Sequence, residues 1–98
     1  MNTKQEPQCT IRILFSYWGL AAGEGAQDVT VDIPPATTLS GLLDLMGAAL
    51  GRDLHAETAA NGTRFITLNG IYCALPGGGP RALADGDDVR VLPFVAGG

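Results

Sequence analysis

The sequence predicts an α+β domain: a mixed sheet of four to five strands with one main helix packed across one face. Three observations carry this. Apolar and polar residues alternate near both ends of the chain, as on strands with a single buried face. Between them, residues 39–50 space their apolar side chains by three and four, as a helix does. Short turn-forming clusters separate these stretches, and 98 residues support one modest core rather than two.

Residues 1–9 are polar and read as a disordered N-terminal tail, leaving 10–94 as the domain. Ile11, Ile13 and Phe15 recur with period two and define the first strand. Gly19 to Gln27, rich in glycine and alanine, reads as a turn. Asp28 to Ile33 is the second strand, with Val29, Val31 and Ile33 facing inward. Pro34-Pro35 stops it, and Thr37 or Thr38 caps a helix running to about Leu50. Leu39, Leu42, Leu43, Met46, Ala49 and Leu50 form the stripe of that helix, and Gly51 ends it.

The signal weakens over residues 52–62, which fit a short helical turn ending at Asn61-Gly62. Phe65 to Leu68 is a third strand with Ile66 and Leu68 inward. Asn69-Gly70 suits a tight primed turn that lets Ile71-Tyr72-Cys73 pair back. Pro76-Gly77-Gly78-Gly79-Pro80 reads as a flexible surface loop, Leu83 as a core plug, and Asp85-Gly86-Asp87 as a turn. Asp88 to Pro93 is the last strand. Val89 and Val91 point inward there, so Arg90, Leu92 and Phe94 point outward.

Composition excludes several functions. One lysine and five scattered arginines within a net charge of −4 make no basic stripe, which disfavours nucleic-acid binding. No apolar run is long enough to span a membrane. The polar start lacks the apolar stretch of a signal peptide, so a cytoplasmic location and free Cys9 and Cys73 thiols are expected. Cys9, Cys73 and His55 do not amount to a zinc or iron–sulfur ligand set. Gly23-Glu24-Gly25 lacks the third glycine of a dinucleotide loop, and Gly77-Gly78-Gly79 lacks the lysine of a phosphate loop. Asp85, Asp87 and Asp88 lack the rest of a calcium loop, and no partner can be placed beside His55.

Val95-Ala96-Gly97-Gly98 reads differently. Two residues without Cβ make a thin, flexible tail able to thread a narrow channel. An α-carboxylate on Gly98, with a pKa of about 3.3–3.7, is ionised at neutral pH. In a partner enzyme it can attack the α-phosphate of ATP and become an acyl-adenylate.

Leu83-Ala84-Asp85-Gly86-Asp87-Asp88-Val89-Arg90-Val91-Leu92-Pro93-Phe94-Val95-Ala96-Gly97-Gly98 resembles the C-terminal signature of the MoaD/ThiS sulfur-carrier proteins, which are ubiquitin-like β-grasp domains. The resemblance runs in order from Thr10, through the opening hairpin, the Thr-Thr-Leu helix start and the Leu68-Asn69-Gly70 turn. Length and Pro93 bring the chain nearer to MoaD, the small subunit of molybdopterin synthase, than to the thiazole carrier ThiS. It departs from the pattern at Phe94, at Tyr17-Trp18-Gly19-Leu20 and in the Pro76–Pro80 loop.

The resemblance implies a carrier rather than an enzyme, with no cofactor bound. Gly98 is then adenylated with ATP by an adenylyltransferase of the ubiquitin-activating kind (MoeB/ThiF-like). A cysteine desulfurase or rhodanese supplies sulfur, leaving a thiocarboxylate. A large synthase subunit (MoaE-like) receives Val95, Ala96, Gly97 and Gly98 and builds the dithiolene that holds molybdenum or tungsten. Arg90, Leu92, Pro93 and Phe94 are the expected partner-binding residues. Sulfur donation in another pathway, protein modification, and a plain interaction module are the alternatives.

Overall fold

The computed structural model describes residues 10–18, 26–75 and 77–94. Seven elements follow one another: β1 (Ile11–Trp18), β2 (Ala26–Ile33), α1 (Leu39–Leu50), α2 (Leu54–Glu57), β3 (Arg64–Leu68), β4 (Ile71–Cys73) and β5 (Asp88–Pro93). The strands form one sheet in the order β2-β1-β5-β3-β4. β1 and β5 are parallel neighbours at its centre; every other pair is antiparallel. Two hairpins flanking the central strand β5, with a helix across one face, make the ubiquitin-like β-grasp arrangement.

Local chemistry accounts for the element ends. Thr38, in extended backbone, accepts the Gly41 N–H on its hydroxyl at 3.0 Å and so caps α1. Gly51 closes the helix at φ 70°, the left-handed conformation that glycine adopts without penalty. Asn69 and Gly70 both have positive φ, as a primed hairpin turn requires.

The core lies between the sheet and α1. Ile13, Phe15 and Tyr17 of β1 join Val89 and Val91 of β5, Ile66 and Leu68 of β3, and Leu39, Leu42, Leu43 and Met46 of α1. Leu83 completes it, held by its N–H donating to the Thr37 carbonyl at 2.9 Å.

Four expectations change. The opening hairpin is longer than its alternation suggests, because Tyr17 pairs with Gln27 and Trp18 with Ala26. Val29 sits on the helix-facing side, opposite Phe15, yet is 43% exposed. β2 is an edge strand, and only its Ile33 end reaches full burial. Ala49 is exposed as well, since it lies about 80° around the helix from the Leu39–Leu43–Met46 line.

The fourth change concerns the glycine-rich loop. Pro76 lies outside the described residues, but residues 77–80 are built into the fold. Gly78 donates to the Ala74 carbonyl, and Gly79, buried, accepts the Ser40 N–H at 3.0 Å. The Arg81 carbonyl accepts the Leu39 N–H at 2.9 Å. Backbone carbonyls of this segment thus satisfy the first donors of α1, which a helix start otherwise leaves unpaired. The N-terminal tail, the Gly19–Gly25 part of the turn, Cys9 and the Val95–Gly98 tail lie outside the described residues. No helix among those described is long and apolar enough to cross a membrane.

Candidate functional site

β5 carries the expected partner-binding residues and leads the chain into Val95–Gly98, so the site is built around its C-terminal end. Side chains alternate along β5 as expected: Val89 and Val91 are buried, whereas Arg90 is exposed and Leu92 half-buried. Pro93 is half-buried, opposite Arg64 of β3. The Phe94 N–H donates to the Thr63 carbonyl at 3.2 Å, the last backbone bond before Val95.

The face of the sheet away from α1 divides into two zones. Near the middle of β5, the register lines up Asp28, Ser16, Arg90, Thr67 and Tyr72 across all five strands. Ser16 donates to Asp28 at 2.6 Å, and Arg90 forks onto Asp88 at 3.0 and 3.2 Å. That hydrogen bonding raises the Arg90 pKa further. Toward the C-terminal end the same face turns apolar. Leu92 lies opposite Phe65, the Phe94 ring packs on Phe65 with centroids 5.2 Å apart, and Tyr72 tilts against Phe65 at 6.1 Å. Phe94 remains 52% exposed and Tyr72 is exposed. Exposed apolar area of this kind, rimmed by polar groups, is what a protein partner covers.

Beneath this end, on the helix side, lies a polar network that alternation does not reveal. Arg64 is only 3% exposed, and its guanidinium donates to the Trp18 carbonyl at 3.1 Å and to Glu57 at 3.0 Å. The Tyr17 hydroxyl donates to the same Glu57 oxygen at 2.7 Å, and Arg52 donates to the other at 2.9 Å. The Arg64 and Arg52 guanidinium carbons lie 4.5 and 5.1 Å from the centroid of the Tyr17 ring. Burial, reinforced by the hydrogen bond to Glu57, pushes the Tyr17 phenol up to about 12. Chemically the network holds still: it ties the ends of β1 and β3 to α2 around the strand that leads to Val95.

The remaining candidates resolve into structural roles. Asp85 accepts the Arg12 N–H at 2.7 Å, and Asp87 accepts from Ala84 and Asn69 at 2.8 and 3.0 Å. These carboxylates therefore hold the turn before β5 together. Among the described residues no group of three or more His, Cys, Asp or Glu could hold a metal ion. His55 does have a partner, contrary to the sequence reading: its Nε2 lies 2.7 Å from Asp44 Oδ1, joining α2 to α1 at the surface. Eleven residues separate the two, and only the reversal of the chain at Gly51 brings them together. Cys73 is a half-buried free thiol. Sequence reasoning missed Phe65, Trp18 and Arg64. A signal existed for Phe65, which alternates out of phase with the inward-facing Ile66 and Leu68.

Comparison with known proteins bears on the same region. The model of the ThiS family matches residues 20–98, which include β5 and the two glycines. Solved structures share the fold. SAMP1 from Haloferax volcanii is 24% identical, with 89% of this chain and 99% of that chain covered at a TM-score of 0.61. A putative molybdopterin converting factor, subunit 1, from Pyrococcus furiosus is 19% identical, with coverages of 87% and 99% and a TM-score of 0.58. Urm1 from Trypanosoma brucei is 21% identical, with coverages of 91% and 97% and a TM-score of 0.59. No curated protein matches the sequence.

Proposed function

The chain belongs to the ThiS family, and on that footing we propose that it carries sulfur as a thiocarboxylate on Gly98 and delivers it in molybdopterin synthesis. The apolar zone formed by Leu92, Phe65 and Phe94 carries this reading. It sits on the strand that leads into Val95-Ala96-Gly97-Gly98, so a partner docked there receives those residues at once. The domain offers recognition, while the partners supply catalysis.

The chemistry follows from the carboxylate. Its oxygen attacks the α-phosphate of ATP in a ubiquitin-activating-type enzyme, forming the acyl-adenylate and releasing pyrophosphate. A persulfide sulfur from a cysteine desulfurase or rhodanese then attacks the acyl carbon, and AMP leaves. A thiol reduces the resulting acyl disulfide, freeing the thiocarboxylate. Its sulfur is anionic at neutral pH and therefore nucleophilic. In a large synthase subunit it attacks the pterin precursor, and two such transfers build the dithiolene.

Intact mass tests the reading. Co-expression with an activating enzyme and a sulfur donor should add about 16 Da, the difference between sulfur and oxygen, at Gly98. Removal of Gly97 and Gly98 should abolish the charging and leave the unfolding midpoint unchanged. The name of SAMP1, a small archaeal modifier protein, raises protein conjugation as the second reading. High-mass covalent adducts through Gly98, with no thiocarboxylate, would favour that reading over sulfur transfer.

A further inference from the structure

The two edges of the sheet differ in kind. β4 closes one side with three residues, whereas β2 closes the other with eight consecutive pairs to β1 and no bulge. In an antiparallel ladder every second residue of an edge strand aims its N–H and C=O outward, away from its neighbour. Natural edges of this length are guarded by charged side chains, lysine above all, by proline, a bulge or a covering element; β2 has two aspartates, which guard it against a second copy but not against a basic segment. Ala26-Gln27-Asp28-Val29-Thr30-Val31-Asp32-Ile33 has neither lysine nor proline, and among the described residues it pairs with β1 alone.

Both of its sides carry exposed residues. On the helix side Val29 is exposed and Val31 half-buried. On the other side stand Asp28, Thr30 and Asp32, all exposed; Asp28 accepts the Ser16 hydroxyl at 2.6 Å and Asp32 accepts from the Arg12 guanidinium at 3.0 Å, which leaves Asp28 without a cationic hydrogen-bond partner on the strand pair.

We propose that the free edge of β2 is a second docking site, one that adds an extended segment of a partner protein as a sixth strand. The segment alternates basic and apolar residues. Basic side chains lie against Asp28 and Asp32, apolar ones cover Val29 and Val31, and the backbone completes the open ladder. A second copy of this chain fits poorly: two-fold pairing about Thr30 sets Asp28 against Asp32 of the copy at both ends, and like charges opposite one another repel. The proposal is independent of the sulfur-carrier reading, since it involves neither Phe94 nor Gly98. It lets one partner hold the edge while another takes the C-terminal end.

A titration of the full-length, ¹⁵N-labelled chain tests it. The probe is a blocked seven-residue peptide of alternating lysine and valine. Amide shifts should concentrate on residues 26–33, and affinity should fall as salt rises. A peptide of the same composition with its lysines grouped at one end should bind clearly more weakly. Replacing both Asp28→Lys and Asp32→Lys should cost about tenfold in affinity and turn the preference to a glutamate–valine peptide. Should loss of the Arg12–Asp32 pair unfold that variant, Val29→Lys probes the apolar side and should also weaken binding. Shifts centred on Tyr72 and Phe94, equal binding of the grouped peptide, or self-association through β2 would each overturn the proposal.

Discussion

The two faces of the sheet are made by the same strands with the same alternation, yet they meet different fates. On the helix side Ile13, Phe15, Ile66, Val89 and Val91 are sealed under α1. On the other side Leu14, Phe94 and Tyr72 stay exposed, with Leu92 and Phe65 half-covered. Apolar character alone therefore does not decide burial; a covering element does. The helix-side face determines whether the chain folds. The other face carries an apolar zone at the C-terminal end of β5 that folding leaves uncovered, where a partner can cover it.

Substitution of sequence neighbours breaks the comparison most directly. Phe15→Ala should cost about 3–5 kcal/mol, because it opens a cavity beneath α1. Leu14→Ala, one residue away, should cost under about 1 kcal/mol. Urea unfolding of both variants measures the contrast; equal losses would mean that the open face belongs to the core.

Arg64 sharpens the comparison from the opposite side, as a charge on the buried face. Arg64→Met should cost about 3 kcal/mol by the same assay, since it strips Glu57 and the Trp18 carbonyl of a buried donor. A neutral effect would show that packing, not hydrogen bonding, holds α2 against the sheet.

Smaller still is the contribution of the Tyr17 proton. The folded protein raises this phenol from 10 to about 12, so it favours the protonated form. The associated stability is complete below pH 10 and is lost as pH climbs through 12, by up to on the order of 2 kcal/mol. Unfolding midpoints recorded from pH 9 to 12 should fall more steeply for the natural chain than for Tyr17→Phe.

The smallest effect on stability falls on the open face. Phe94→Ala should change it by under about 1 kcal/mol while weakening the complex with the partner subunit by tenfold or more, read by titration calorimetry. Weakened folding with unchanged partner affinity would move Phe94 to the core side of the comparison.

Much of this was legible in the sequence. Period-two runs gave the strands, the leucine spacing gave α1, Thr38 and Gly51 gave its ends, and Asn69-Gly70 gave the hairpin. All of these are local, set by dihedral preference and by which residues share a face within a few positions. The family was legible for a different reason: the short motifs that carry the resemblance follow one another in order along the sequence, and the family model matches residues 20–98. Val29 misled because alternation reports the face but not the coverage, and an edge strand far from the helix lacks the second layer. Gly79 misled because a glycine-rich run looks loose until a helix start needs its carbonyls.

By itself, then, the sequence determined the elements, their inward faces and the family. Tertiary structure alone decided what depends on contacts between distant residues. The Tyr17–Glu57–Arg64 network joins residues up to 47 positions apart, and the aromatic zone joins β3, β4 and Phe94. Among the described residues β2 stands at the edge of the sheet because β5, the last strand, inserts on the other side of β1. Local preference acts over one or two turns of chain, whereas coverage, pairing and solvent exclusion are settled only when the whole sheet assembles.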